Sequence, residues 1–145
     1  MRKRGIYMTK RKILKNKTLI IGCSSLGATI ANKFSKEGKN IIVLDKDPKS
    51  FDALSENFSG NIVQGDATDI DSLIDAGIAS SKEIVVCTDD DNINIYVAHI
   101  ARRIYDVPNI YIHLLHPENE ILIKGMNINA IFPLELSFDK FNLMD

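Results

Sequence analysis

The chain has 145 residues, 45% hydrophobic and 26% charged, with a formal net charge of −1. That length suits one compact domain with a continuous core and leaves no room for a separate substrate lobe. The near-neutral charge hides an asymmetry. Arg2, Lys3, Arg4, Lys10, Arg11, Lys12, Lys15 and Lys17 put eight basic residues and no acidic one in positions 1–17. The rest of the chain keeps ten of the 18 basic residues against all 19 acidic ones, a net of −9. An acidic body excludes a broad nucleic-acid face, which needs many phosphate-neutralising cations. No apolar run reaches the roughly 18 residues of a membrane span, and Thr18–Gly22 is too short for a signal peptide's apolar region. Cys23 and Cys87 make no disulfide framework, so the expectation is a cytoplasmic body.

Short β-branched runs alternate with helix-length stretches along the rest of the chain. Thr18–Ile21 reads as a first buried strand and Leu26–Glu37 as the helix after it, stopped by Gly38. Ile41–Leu44 is a second strand. Pro48 then suits the first turn of a helix patterned by Phe51, Leu54 and Phe58. Asn61–Gln64 is a third strand, followed by a helix over Ile70–Ala76 that Gly77 ends. Glu83–Cys87 is a fourth strand. The helix over Ile93–Tyr105 places Ile93, Val97, Ile100 and Ile104 on one face. Asn109–His113 is a fifth strand, Glu118–Gly125 a further helix and Ala130–Phe132 a sixth strand.

Continuous rather than alternating apolar strands indicate a sheet covered on both faces, hence parallel. Six such units predict a three-layer, doubly wound α/β fold of Rossmann type, with a mainly parallel sheet in the order 3-2-1-4-5-6. The domain is expected over residues 18–135, between a basic tail at 1–17 and a C-terminal helical segment at 136–145. Met8 is an alternative start. The segment from Leu134 onward is too apolar for a solvated tail, so it either docks on the body or crosses to a partner chain.

The strongest motif follows the first strand: Gly22-Cys23-Ser24-Ser25-Leu26-Gly27. This is the dinucleotide fingerprint with serine at the second glycine. Gly22 permits the tight strand-to-helix turn, Gly27 lets the helix approach the sheet, and free amides at the helix start face a pyrophosphate. Two readings are open for Ser24: its Cβ holds the phosphate farther out, or its hydroxyl bonds it. Asp45 ends the second strand 23 positions after Gly22, where an acidic side chain bonds both ribose hydroxyls of an adenosine. Its carboxylate repels a 2′-phosphate, which favours NAD(H) or an adenine nucleotide over NADP(H). The alternative is a helix-capping role, which Asp47 already fills.

Gly22 to Gly27, Asp45-Lys46-Asp47, Gly65-Asp66-Ala67-Thr68, Ala76-Gly77-Ile78 and Thr88-Asp89-Asp90-Asp91 with Asn94 together resemble the RCK N-terminal domain. This family, also called KTN or TrkA-N, is the cytoplasmic regulatory module of Trk- and Ktr-type potassium uptake systems and many potassium channels. The resemblance covers residues 18–135, and its most specific element is the Gly-Asp-Ala-Thr segment. It implies a domain that binds NAD(H) or ATP, ADP or AMP and forms homodimers or rings of dimers. Such rings sit at the inner face of the cell membrane, on a membrane-embedded potassium transporter or channel whose conductance they alter. Carried onto this chain, Gly22, Cys23, Ser24, Ser25, Leu26 and Gly27 hold the phosphates, and Asp45 with Lys46 takes the ribose. Asp66 and Ala67 border the adenine, with capping of the next turn as the alternative for Asp66, and Thr88 and Asp89 lie near the second half of the ligand.

Two departures stand out. The family's arginine at the end of the fifth strand is His113 here, mostly neutral at pH 7, which removes a counter-charge for a third phosphate. Members with a C-terminal ligand domain continue beyond the point where this chain stops, and the crossover helix of the shortest members corresponds to Glu135–Leu143. An enzyme reading, as an NAD-dependent oxidoreductase or redox-sensing Rossmann protein, finds little support. His99 and His116 have no obvious carboxylate partner. Asp89, Asp90 and Asp91 read as N-terminal caps more simply than as cation ligands. A redox link between Cys23 and Cys87 is conceivable, since a helix N-terminus lowers a thiol's pKa. For the basic tail, a solvated arm and a membrane-facing arm are both open.

Overall fold

The computed structural model describes residues 13–144. Most of the basic segment and the alternative start at Met8 lie outside the described residues. Six strands form one all-parallel sheet in the order β3-β2-β1-β4-β5-β6: β1 (Lys17–Ile21), β2 (Ile41–Asp45), β3 (Asn61–Gln64), β4 (Ser81–Val86), β5 (Asn109–His113) and β6 (Asn129–Ile131). The α-helices are α1 (Ser25–Lys36), α2 (Ile70–Asp75), α3 (Asp91–Arg103) and α4 (Pro133–Met144). β1 is the pivot, pairing β2 on one side and β4 on the other. Its successive residues Leu19, Ile20 and Ile21 are all fully buried, because both faces of the sheet are covered.

Two apolar layers result. One face packs Leu19, Ile21, Leu44, Ile84, Val86 and Ile112 against α2 and α3 through Leu73, Val97, Ala98 and Ala101. The other packs Ile20, Ile41, Val43 and Val85 against Ala28 and Ala31 of α1. Charged Arg102 ties the loops at one edge, donating to the carbonyls of Val107, Met126 and Asn127 and to Asp106.

Several sequence-based boundaries need correction. The segments after β2 and β5 are 3-10 turns, Pro48–Ala53 and Pro117–Ile123, not α-helices. In each, proline opens the turn and too few residues follow for an apolar stripe to lock down a longer helix. The buried side of α3 runs through Asn94, Val97, Ala98 and Ala101, whereas Ile104 is exposed, because small residues set the approach to the sheet. The body also begins earlier than the charge pattern suggested. Lys15 donates to the carbonyls of Ala79 and Tyr105, and Asn16 to Ser80, so Lys15–Lys17 belong to the fold rather than the tail. The last helix starts at Pro133 directly after β6, and none of its residues is buried.

Candidate nucleotide site

The chain reverses its winding at β1 and β4, which opens a crevice beyond the strand ends, where ligands of this architecture bind. A cavity of about 350 Å³ sits there. Gly22, Cys23 and Ser24 line it from β1, Asp45 and Lys46 from β2, Gly65, Asp66 and Ala67 after β3, and Thr88, Asp89 and Asp90 after β4. The sequence also missed Ser50 and Ile93, which complete the wall from the turn after β2 and from α3. Neither lies in a recognisable motif.

Gly22 makes the turn possible. Its φ is +96°, and a Cβ there would sit 2.8 Å from the Thr88 amide at the end of β4. Gly27 brings α1 onto that turn so closely that a Cβ would lie 2.0 Å from the Gly22 carbonyl oxygen. Ser25, Leu26 and Gly27 do not line the cavity. Ser24 caps α1: its hydroxyl accepts from the Gly27 amide at 3.1 Å and donates to the Cys87 carbonyl at 2.8 Å. Ser24 lines the cavity with its hydroxyl already engaged by these two backbone partners.

Asp45 accepts from the Cys23 amide at 2.8 Å through one oxygen and from the Asp47 amide at 2.8 Å through the other. Asp47, not Asp45, caps the following turn by accepting from Lys49. Asp66 both lines the cavity and closes its own turn. The Thr68 amide and hydroxyl bond it at 2.9 and 2.7 Å, and these bonds hold its carboxyl below the usual carboxylate range.

The three consecutive aspartates divide their labour rather than all capping α3. Asp89 is exposed at the cavity rim. Asp90 is the cap, accepting from Asn92 and Ile93. Asp91 is buried and turned the other way, toward the Leu115 and His116 amides and the Asn119 side chain. Asn94 is fully buried. It accepts the Thr88 amide and hydroxyl and donates to the carbonyls of Thr88 and His113, tying β4 to β5.

His113 does not line the cavity, and its two ring nitrogens are buried without a hydrogen-bond partner. His99 bonds the Leu122 carbonyl at 2.8 Å, and His116 has a carboxylate neighbour after all, Glu118 at 3.6 Å, on the exposed surface. The thiol expectation reverses. Burial raises the Cys23 pKa and the nearby Asp45 charge adds to it. Burial pushes Cys87 up to about 12. Both cysteines are free.

The TrkA-N domain family model matches residues 18–133, four-fifths of the chain. The chain belongs to the TrkA-N family. Its relatives include the Trk system potassium uptake protein TrkA of Streptomyces coelicolor, 29% identical over 122 residues, which cover 84% of this chain and 55% of that protein. Potassium channel protein 1 of Methanocaldococcus jannaschii is 32% identical over 106 residues, 72% of this chain and 31% of the channel. The TrkA-N domain thus spans about half or less of these curated relatives. Among solved structures, the TrkA-N domain of inner membrane protein ybaL from Escherichia coli superposes with a TM-score of 0.77 at 15% identity, covering 91% of this chain and 98% of that one. The GsuK channel bound to NAD gives 0.68 at 18% identity over 88% of this chain and 24% of the channel. The Kef C-terminal domain of Shewanella denitrificans in its AMP-bound form gives 0.69 at 19%, over 89% and 82%. These likenesses establish the shared fold. Among the described residues no helix is long and apolar enough to cross a membrane.

Proposed function

We propose that this chain is a regulatory, non-enzymatic subunit of a potassium uptake system, binding an adenosine nucleotide and setting the activity of a membrane-embedded potassium transporter. The observation that carries the reading is Asp45 on the wall of a cavity that also holds the Gly22 turn and Asp66. A carboxylate at the end of β2, beside a glycine turn and a helix start, is the arrangement that grips an adenosine ribose and its first phosphate. NAD(H), which the fingerprint favours, and AMP or ADP share that half. Family membership and the potassium uptake and channel proteins among the relatives supply the transport context.

In this reading the domain works in the cytoplasm at the inner membrane face, held there by its transporter. Exposed α4 pairs two copies, and dimers assemble into a ring. Nucleotide binding shifts the angle between subunits, and differential affinity for two arrangements is the only source of work for that shift. Isothermal calorimetry with NAD+, NADH, AMP, ADP and ATP tests the binding step, and co-purification with a potassium transporter tests the context. Absence of binding tighter than millimolar for every nucleotide would overturn the sensor reading.

A further inference from the structure

Resting on the adenosine-nucleotide reading, we infer that Ser24 bars the pyrophosphate crossing, so that the site takes a single nucleotide, AMP or ADP, and rejects a dinucleotide. A dinucleotide needs two mononucleotide halves joined across the crevice between β1 and β4. The second glycine of the fingerprint normally leaves that crossing bare for the pyrophosphate. Here Ser24 stands in it, and its hydroxyl bridges the crevice from the β1 side to the Cys87 carbonyl on the β4 side at 2.8 Å. The same hydroxyl caps Gly27, so rotating it away breaks two hydrogen bonds at once.

The loops on the far side of the crevice are tied down as well. The nicotinamide side of a dinucleotide would lie over the ends of β4 and β5. Asn94 ties Thr88 to the His113 carbonyl there, at 2.8 Å to the latter. Asp91 takes the amides of Leu115 and His116 at 2.8 and 3.0 Å and so draws the loop after β5 onto α3. Accordingly the cavity wall includes residues after β1, β2, β3 and β4 but none from β5. Its volume of about 350 Å³ falls at the small end of ligand pockets, which run from roughly 300 to 1,000 Å³.

The test is calorimetric titration of the full chain with AMP, ADP, NAD+ and NADH, beside the Ser24→Gly and Ser24→Ala variants. AMP or ADP should bind the native chain at least ten times more tightly than NAD+ or NADH. Ser24→Gly removes both the Cβ and the bridge, and should narrow that ratio about tenfold, with NAD+ and NADH gaining relative to AMP and ADP. Ser24→Ala removes only the bridge and should fall between the two. Circular dichroism melting confirms that each variant folds. NAD+ or NADH binding the native chain as tightly as AMP would overturn the inference and leave the adenosine-nucleotide reading intact. An unchanged ratio in Ser24→Gly would overturn Ser24 as the cause. Binding of no nucleotide at all would overturn the parent reading itself.

Discussion

The carboxylate of Asp45, at the end of β2, accepts the amide of Cys23 at 2.8 Å, so the second strand braces the loop that follows the first. Its other oxygen holds Asp47. One side chain therefore shapes the loop after β1 and the cavity wall together. Each oxygen has a second lone pair, which leaves the carboxylate able to take ribose hydroxyls without releasing the backbone.

That double duty gives the first prediction. Asp45→Ala removes the brace and the proposed ribose acceptor at once. Hydrogen bonds to a charged group contribute about 1.5–3 kcal/mol each, so AMP affinity should fall about ten- to a hundred-fold. Titration calorimetry measures it, and the melting temperature measured alongside separates binding from folding. Native affinity in a folded Asp45→Ala protein would remove Asp45 from the site.

Asp91 makes the second prediction, through pH. Its carboxylate is buried, and burial alone would raise its pKa. The bonds from Leu115, Asn119 and His116 outweigh that and hold it below the ordinary carboxylate value. A carboxylate whose pKa is lower folded than unfolded binds protons more readily in the unfolded chain. Its stabilisation is therefore complete above the unfolded value, about pH 4, and is lost as pH falls through the folded one. Urea melts from pH 7 to pH 3 should show native stability falling at the acid end. Asp91→Asn should be less stable than the native chain at pH 7, by about 1–3 kcal/mol, with the gap narrowing toward pH 3. A gap that stays constant with pH would show that the Asp91 charge is not what holds the loop after β5.

The strand order and most of the cavity wall were legible in the sequence, for a physical reason. A parallel sheet buried on both faces writes continuous apolar runs, and the glycine turn after a strand, as at Gly22 with φ +96°, leaves its own mark. Gly22 and Asp45 sit where the turn and the strand end demand them. What stayed hidden depends on side-chain direction. The spacing around Ser24 leaves two roles open and does not reveal that its hydroxyl bridges to Cys87. Asp91 reads as a third cap until it is seen to turn toward Leu115. Thr18 reads as an ordinary strand residue, yet it is buried because its hydroxyl donates at 2.6 Å to Glu83, which Lys39 also pairs. The two 3-10 turns were read as helices because proline at a first turn signals both equally.

Arg102 carries the third prediction. Its guanidinium spans two loops whose tips, Asp106 and Asn127, hold left-handed backbone at φ 47° and 56°. Nε and the two terminal nitrogens bond Met126, Val107, Asn127 and Asp106 together. A lysine offers a single point charge and does not match that fork. Arg102→Lys should therefore lower stability by about 1–3 kcal/mol, most of it from carbonyls left without their donor. Chemical denaturation of the native chain beside Arg102→Lys checks this. Arg102→Lys at native stability would show that the loops hold themselves.

The last prediction concerns α4. Leu134, Phe138 and Phe141 recur at i, i+4 and i+7, so they share one face, and Phe138 and Phe141 are 63% and 69% exposed. Leu136, Leu143 and Met144 are also exposed, so the body buries none of this helix. A helix of 12 residues is marginal in water without packing, since nucleation is costly and propensity adds little. Apolar side chains with no internal partner gain most from a matching surface, and a second copy of the chain presents the same stripe. Phe138→Asp with Phe141→Asp should turn a dimer into a monomer in sedimentation velocity at micromolar concentration. The body should melt within a few degrees of the native chain, because no core contact is lost. Nucleotide binding within the cavity should persist, since Asp45 and Gly22 lie on the sheet and not on α4. A native chain that sediments as a monomer across that range would assign the stripe to some other partner. A double variant that unfolds would instead place α4 in the core of the fold.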